Sequence, residues 1–135
     1  MTHYAELAVT TNFSFLRGAS HPEELVARAK EIGLAALGIA DRNSVAGVVR
    51  AHTAVKENGL RLVVGARLVF ADATPDILAY PQDLAAWSRL TRLLSVGKSR
   101  ADKGECTLFV DDLLGHIQGL NLIVAPTRVD ARALR

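Results

Sequence analysis

The sequence predicts an α/β domain with mostly parallel strands, and three observations predict it. Strand and helix patterns alternate three times within the first 66 residues, as βαβ units do. Half of the chain is hydrophobic but only 5% is aromatic, which suits aliphatic helix-on-sheet packing better than an aromatic platform for stacked bases. The length of 135 residues fits one domain with a core of its own. It is about half of the ~250 residues that a complete βα barrel needs.

Residues 6–11 read as the first strand, and the polar stretch 12–20 as a loop with a break at Gly18. Ser20 followed by Glu23 has the spacing of a capping box, with Pro22 in the first turn where its missing N–H costs nothing. Leu25, Val26, Ala29 and Ile32 recur at helical spacing, and Gly33 ends that helix. Residues 35–40 form a short apolar run, a buried second strand that leads into Asp41, Arg42 and Asn43. Ser44 is positioned to cap a second helix, with Val45, Val48, Val49, His52 and Val55 on its apolar face and Asn58-Gly59 at its end. Residues 61–66 are the third strand, and residues 68–71 either extend it or pair with it. A turn at 72–75 precedes a fourth strand at 76–80. Pro81 leads to a helix over 84–96, with Leu84, Trp87, Leu90, Leu93 and Leu94 facing the core. A polar loop at 97–105, a short strand at 107–110, a short helix at 111–116 and a buried strand at 120–125 complete the domain. Residues 1–125 thus form one domain, and 126–135 a polar tail or truncated continuation.

A net charge of +2 permits a nucleic-acid partner without arguing for one. No apolar stretch approaches the ~20 residues that span a bilayer, and Glu6 with the polar run 10–14 interrupts any signal-peptide layout. The lone Cys106 can form no internal disulfide, so a reducing, cytoplasmic setting is expected without membrane attachment.

In parallel α/β folds ligands collect at the carboxyl ends of the strands. Those ends carry Thr10, Thr11 and Asn12, then Asp41, Arg42 and Asn43, then Arg67. Such residues make a poor metal site, because His, Cys and carboxylate groups do not cluster at ligand spacing. His3, His21, His52 and His116 are scattered and fall at no strand end. Cys106 has no histidine close in sequence and reads as incidental. Asp111 and Asp112 open a short helix, where negative charge complements the helix dipole. The basic run Arg89, Arg92, Lys98, Arg100 and Lys103 is a candidate phosphate-backbone contact, although a solvated helix face and loop explain it as well.

Three stretches resemble a known family: YAELAVTTNFSFLRG at 4–18, GLAALGIADRN at 33–43 and GLRLVVGAR at 59–67. They look like the opening of a PHP (polymerase and histidinol phosphatase) domain, most like that of bacterial C-family DNA polymerases. Residues 12–25 with Asp41-Arg42-Asn43, and Tyr80-Pro81 leading to RLLSVGK at 92–98, resemble the error-prone branch of the polymerase III alpha family. The resemblance implies an incomplete PHP-type barrel, a distorted TIM-like βα barrel of five or six strands. It also implies a polymerase parent acting in DNA replication, repair or damage-induced translesion synthesis, whose catalytic aspartates lie in later domains.

Active members of that family resemble phosphoesterases with a histidine-rich, multi-metal site. The matching positions of the His-x-His motif here are Ala8 and Thr10. The Asp-His motif keeps Asp41 but has Arg42, and the Gly-x-Glu motif keeps Gly65 but has Arg67. Two guanidinium groups repel a divalent cation, so no catalytic residue, metal or cofactor is expected. The expectation is a vestigial pocket of Thr10, Asn12, Asp41, Arg42 and Arg67, with the arginines paired to Asp41 in place of a metal. The chain would then be a structural module whose partners are the polymerase's remaining domains, with DNA bound by the full protein. An uncovered sheet edge also predicts either a homodimer through that edge or a partly rearranged sheet. The alternatives are a stand-alone PHP-like metal-dependent phosphoesterase and a small nucleic-acid-binding module.

Overall fold

A computed structural model describes residues 3–126. The elements run β1 (Ala5–Val9), α1 (Pro22–Glu31), β2 (Ala36–Arg42), α2 (Val48–Asn58), β3 (Arg61–Leu68), β4 (Asp76–Pro81), α3 (Leu84–Arg100), α4 (Val110–Leu114) and β5 (Leu120–Ala125). They build one five-stranded sheet in the order β1-β2-β3-β4-β5. This curled half-barrel with helices is the incomplete α/β barrel that the sequence predicts. The tail beyond residue 126 lies outside the described residues.

Parallel pairing is confined to β1, β2 and β3, whereas β4 pairs antiparallel with both β3 and β5. Two chain lengths account for this departure from a mostly parallel sheet. Residues 69–75 are too few for a parallel crossover, which needs a dozen or more. After α3, residues 108–119 carry the chain back along the sheet, so that Gly119 accepts a hydrogen bond from Gln82 N at 3.0 Å. The strand that follows therefore starts where β4 ends.

Alternation along the strands divides the core. Leu37 and Ile39 of β2 pack outward with Val26 and Ala29 of α1 and with Ala51, Ala54 and Val55 of α2. Ala66, Leu68 and Ala79 pack outward with Ala86, Leu90, Leu93 and Leu94 of α3 and with Leu108 and Leu113. On the inner face of the curl, Ala40, Leu78 and Tyr80 form a smaller cluster with Val63. Tyr80 lies across this inner face and donates its hydroxyl proton to Leu7 O of β1, two strands beyond β3. The ring fits because Gly65 has no side chain: a Cβ there would meet Ala79 O at 2.6 Å and Tyr80 Cδ1 at 2.6 Å.

Several boundaries differ from the sequence expectation. β1 ends at Val9, because residues 11–20 fold on themselves, with Asn12 N donating to Ser20 O. The capping box of α1 is not Ser20–Glu23: His21 is the N-cap, and its N–H donates to Glu24 Oε2 at 2.8 Å. Glu23 pairs with Arg50 of α2 instead, at 2.6 Å. Ser44 caps only a local turn through Ala46 N, and the N-cap of α2 is Gly47. Val49 is exposed and so is His52, because the small Ala51 and Ala54 occupy the buried face. Leu84 is 79% exposed rather than a core residue. The loop at 97–105 begins only after Arg100, since buried Gly97 lets α3 continue against Leu108. The expected strand at 107–110 reduces to one bridge between Phe70 and Leu108.

Candidate functional site

Successive residues on a strand face opposite sides of a sheet, and this sorts the strand-end residues. Asp41 faces the helices, in line with Leu37 and Ile39, and is fully buried. Its Oδ1 accepts from Thr11 N at 2.8 Å and from Ser14 Oγ at 2.7 Å, and its Oδ2 accepts from Thr11 Oγ1 at 2.7 Å. Ser14 Oγ in turn accepts from Arg42 N at 2.9 Å. Gly47, at the start of α2, comes close enough that a Cβ would lie 3.1 Å from Asp41 Oδ2. The carboxylate is thus a buried anchor for the β1–α1 loop.

Arg42 and Arg67 face the other way. They are partners in the parallel register of β2 and β3, which sets two guanidinium side chains side by side on the inner face. Arg67 Nε pairs with Asp76 Oδ2 at 2.7 Å. Arg42 is exposed and forms no ion pair or side-chain hydrogen bond among the described residues. The expected pairing of these arginines with Asp41 is therefore corrected: the sheet lies between them, and hydroxyl groups satisfy the acid. Asn12 also leaves the expected pocket, donating from Nδ2 to His21 Nδ1 at 3.0 Å.

Thr10, Arg42 and Arg67 do come together. With Arg17, Val69 and Asp76 they line a cavity of about 250 Å³ at the carboxyl ends of β1, β2 and β3. Ala8 is exposed on β1 and takes no part in this lining. Arg17 and Asp76 were not anticipated in the sequence: Arg17 sits in an aperiodic loop, and Asp76 reaches the site only because β4 runs antiparallel. Asn43 has a backbone role, its side chain exchanging hydrogen bonds with Val69 N and O at 2.9 and 3.2 Å. Among the described residues, no three His, Cys, Asp or Glu side chains converge. The cavity wall offers a hydroxyl, three guanidinium groups and one carboxylate already paired, a donor set that does not fit a divalent cation.

A second, wider groove of about 760 Å³ adjoins Arg42 and is lined by Phe13, Phe15, Lys98, Lys103 and Cys106 among others. Burial pushes the Cys106 thiol up, against the opposing pull of the nearby Lys98. The basic run divides here. Lys98 and Lys103 reach the groove, Arg92 is exposed elsewhere on α3, and Arg89 donates to Gln118 O at 3.0 Å.

Arg100 is bound to Asp112 through two nitrogens, one contact measuring 2.7 Å. The Arg100 guanidinium holds the Asp112 carboxyl down at about 2, helped by the Phe109 N–H that it also accepts. A carboxylate with a folded pKa below the ~3.9 of an unfolded chain stabilises above that value and loses its contribution as pH falls towards 2. Asp112→Asn is expected to cost about 1 kcal/mol at pH 7, discounted for the exposure of Arg100. It should also flatten the urea-stability profile between pH 4 and pH 2, and an unchanged acid limb would contradict this assignment.

No helix among the described residues is long and apolar enough to cross a membrane. A sequence model of the PHP domain matches residues 6–124. The error-prone DNA polymerase of Rhodopseudomonas palustris (strain BisB5) is 60% identical over 127 residues, covering 91% of this chain and 11% of that protein. The error-prone DNA polymerase of Caulobacter vibrioides is 58% identical over 128 residues, covering 94% of this chain and 12% of that protein. The chain therefore spans about a tenth of the length of these relatives. Among solved structures, a putative metal-dependent phosphoesterase from Bifidobacterium adolescentis superposes with a TM-score of 0.60 at 22% identity, covering 87% of this chain and 44% of that one. An amidohydrolase from Chromobacterium violaceum gives a TM-score of 0.59 at 23% identity, covering 70% of this chain and 33% of that one. These likenesses carry the fold, and the family match spans nearly the whole chain: it belongs to the PHP domain family.

Proposed function

We propose that this chain is part of the PHP domain of an error-prone DNA polymerase and serves there as a structural module without metal-dependent phosphoesterase chemistry. The observation that carries this reading is the wall of the strand-end cavity. Arg42 and Arg67 are register partners on its face, and the carboxylate nearest them, Asp76, is paired with Arg67. A hydrolytic two-metal site needs anionic or imidazole donors in that place. Thr10 offers only a hydroxyl, and two guanidinium charges oppose the entry of a cation. Asp41 is already committed to three donors from the β1–α1 loop.

In the whole protein, the similarity to error-prone polymerases supports a role in damage-tolerant DNA synthesis in the cytoplasm. The remaining domains would brace against this one, and DNA would bind elsewhere in the polymerase. In the sheet order, β1 and β5 are the two edges, and Ile123 and Val124 on β5 are exposed. Apolar edge strands of this kind are places where further chain can add.

The test is metal content and hydrolysis on the same preparation. After dialysis against buffer containing manganese and zinc, the chain is expected to retain no stoichiometric metal. It should also release no nitrophenol from bis(p-nitrophenyl) phosphate above the rate of the buffer control. One tightly held metal ion per chain, with hydrolysis that a chelator abolishes, would overturn the reading in favour of a metal-dependent phosphoesterase.

A further inference from the structure

We infer that two copies of this chain associate edge to edge, β5 against β5 in antiparallel order about a two-fold axis at Ile123, so that one sheet runs through both. The contact lies away from the strand-end cavity. A metal bound in that cavity would overturn the structural-module reading and leave this association standing.

The two edges of the sheet differ in how they are guarded. β1 carries Glu6, and its register with β2 shifts between Glu6 and Val9. A charge and a bulge are two of the devices that keep an edge strand from pairing. β5 has neither. Its sequence is LNLIVA, and all six residues stay in unbroken antiparallel register with β4. Among the described residues it pairs with β4 alone, so its other row of N–H and C=O groups is open to a further strand. The side chains there are apolar on both faces. Ile123, opposite Leu78, lies on the inner face and is 42% exposed. Val124, opposite Ile77, lies on the outer face and is 60% exposed.

Self-complementarity identifies the occupant as a second copy. Opposed residues of an antiparallel pair share a face, so a two-fold axis through the sheet brings together residues an even number apart. Centred on Ile123, it sets Ile123 against the same residue of the second copy, Leu122 against Val124 and Asn121 against Ala125. Both exposed apolar side chains then meet apolar neighbours. Centring on Leu122 would instead put Ile123 opposite Asn121, an amide that already accepts from Gln82 Nε2 at 2.8 Å. Charge does not oppose the contact either. Like charges facing each other across a strand pair are destabilising, but β5 has no charged residue. The charge nearest to it on β4, Asp76 opposite Ala125, is neutralised by Arg67 at 2.7 Å. One short strand per copy makes an interface at the small end of the range, below ~1,200 Å², and such interfaces are weak. A micromolar dissociation constant is therefore expected.

The experiment is analytical ultracentrifugation of the full 135-residue chain over a concentration series that spans the micromolar range, in a chelating buffer. A reversible shift from monomer to dimer and no further is expected, because a two-fold contact uses up the edge. Ile123→Lys and Val124→Lys, both at exposed positions, should each abolish the dimer at every concentration, and thermal unfolding checks that both variants are folded. Cross-linking reads the register. In a Cys106→Ser background, Ile123→Cys should give a disulfide-linked dimer under mild oxidation, since directly opposed residues lie ~4.5–5.5 Å apart at Cα, within disulfide reach. Leu122→Cys should not, because it faces Val124 of the second copy. A monomer throughout, a dimer that both lysine variants leave intact, or faster cross-linking through Leu122→Cys than through Ile123→Cys would each overturn the proposal. A chain that dimerises only after residues 127–135 are removed would also overturn it, and would assign the edge to the chain's own terminus.

Discussion

Asp41→Ala is expected to remove about 3–5 kcal/mol of stability, a large part of the ~5–15 kcal/mol typical of a domain. The reason is what the substitution leaves behind. Thr11 N–H, Thr11 Oγ1 and Ser14 Oγ all donate to the Asp41 carboxylate. Thr11 and Ser14 are themselves buried, at 0% and 2% exposure. Removing the acceptor strands three donors away from water, and each buried unsatisfied group costs about 1–3 kcal/mol. Asp41→Asn should cost less, about 1–3 kcal/mol, because one oxygen remains to accept from Thr11 N and Ser14 Oγ. Its new amide can donate to Thr11 Oγ1, which already accepts from Phe13 N at 3.1 Å. Urea midpoints of the two variants check the order. Equal losses, or a loss below ~1 kcal/mol for alanine, would show that this carboxylate is not the anchor of the loop.

The second large effect is expected at Gly65. Replacing a strand glycine by alanine ordinarily stabilises by about 0.4–1 kcal/mol through the unfolded chain. Here the added Cβ would sit 2.6 Å from a backbone oxygen, Ala79 O, and 2.6 Å from the Tyr80 ring. Overpacking of this kind costs about 1–3 kcal/mol, so the clash outweighs the entropy gain and Gly65→Ala destabilises. The Tyr80 ring can move but the β4 backbone cannot do so without breaking its pairing with β3. Measured against Tyr80→Ala alone, adding Gly65→Ala should therefore still cost part of the clash energy, the part due to Ala79 O. Tyr80→Phe alone should lose about 1 kcal/mol, the value of its hydrogen bond to Leu7 O. Thermal unfolding of these variants beside the unsubstituted protein reads the differences, and a neutral Gly65→Ala would mean that the curl tolerates a wider spacing between β3 and β4.

Much of the fold is legible because local patterns and long-range packing agree in the first half of the chain. The apolar run that becomes β2 is buried on both faces, as a central parallel strand must be, and Gly33 and Gly59 both end their helices with positive φ. The second half is less legible. Nothing local in residues 69–75 announces that β4 will return antiparallel, since that follows from the connection being too short to cross over. The end of α3 is obscured in the same way, because Gly97 reads as a breaker until Cys106 and Leu108 are seen against it.

The candidate site shows the same division. Thr10, Arg42 and Arg67 are visible in the sequence as strand-end residues, and the departures from the metal-binding motifs can be read one residue at a time. The period-two rule applied to Asp41 and Arg42 already forbids them from sharing a face. Which charges meet across the sheet is a matter of register, and register is a property of paired strands. The sequence by itself determined the α/β class, the strand ends that carry chemistry and the family, because these depend on local periodicity and on motif residues. Only the tertiary structure decided that Asp41 is a buried anchor, that Asp76 neutralises Arg67, and that Arg17 and Arg42 line one cavity with no ion-pair partner among the described residues. Those contacts join residues from separate segments of the chain, and their distances exist only once the sheet has curled.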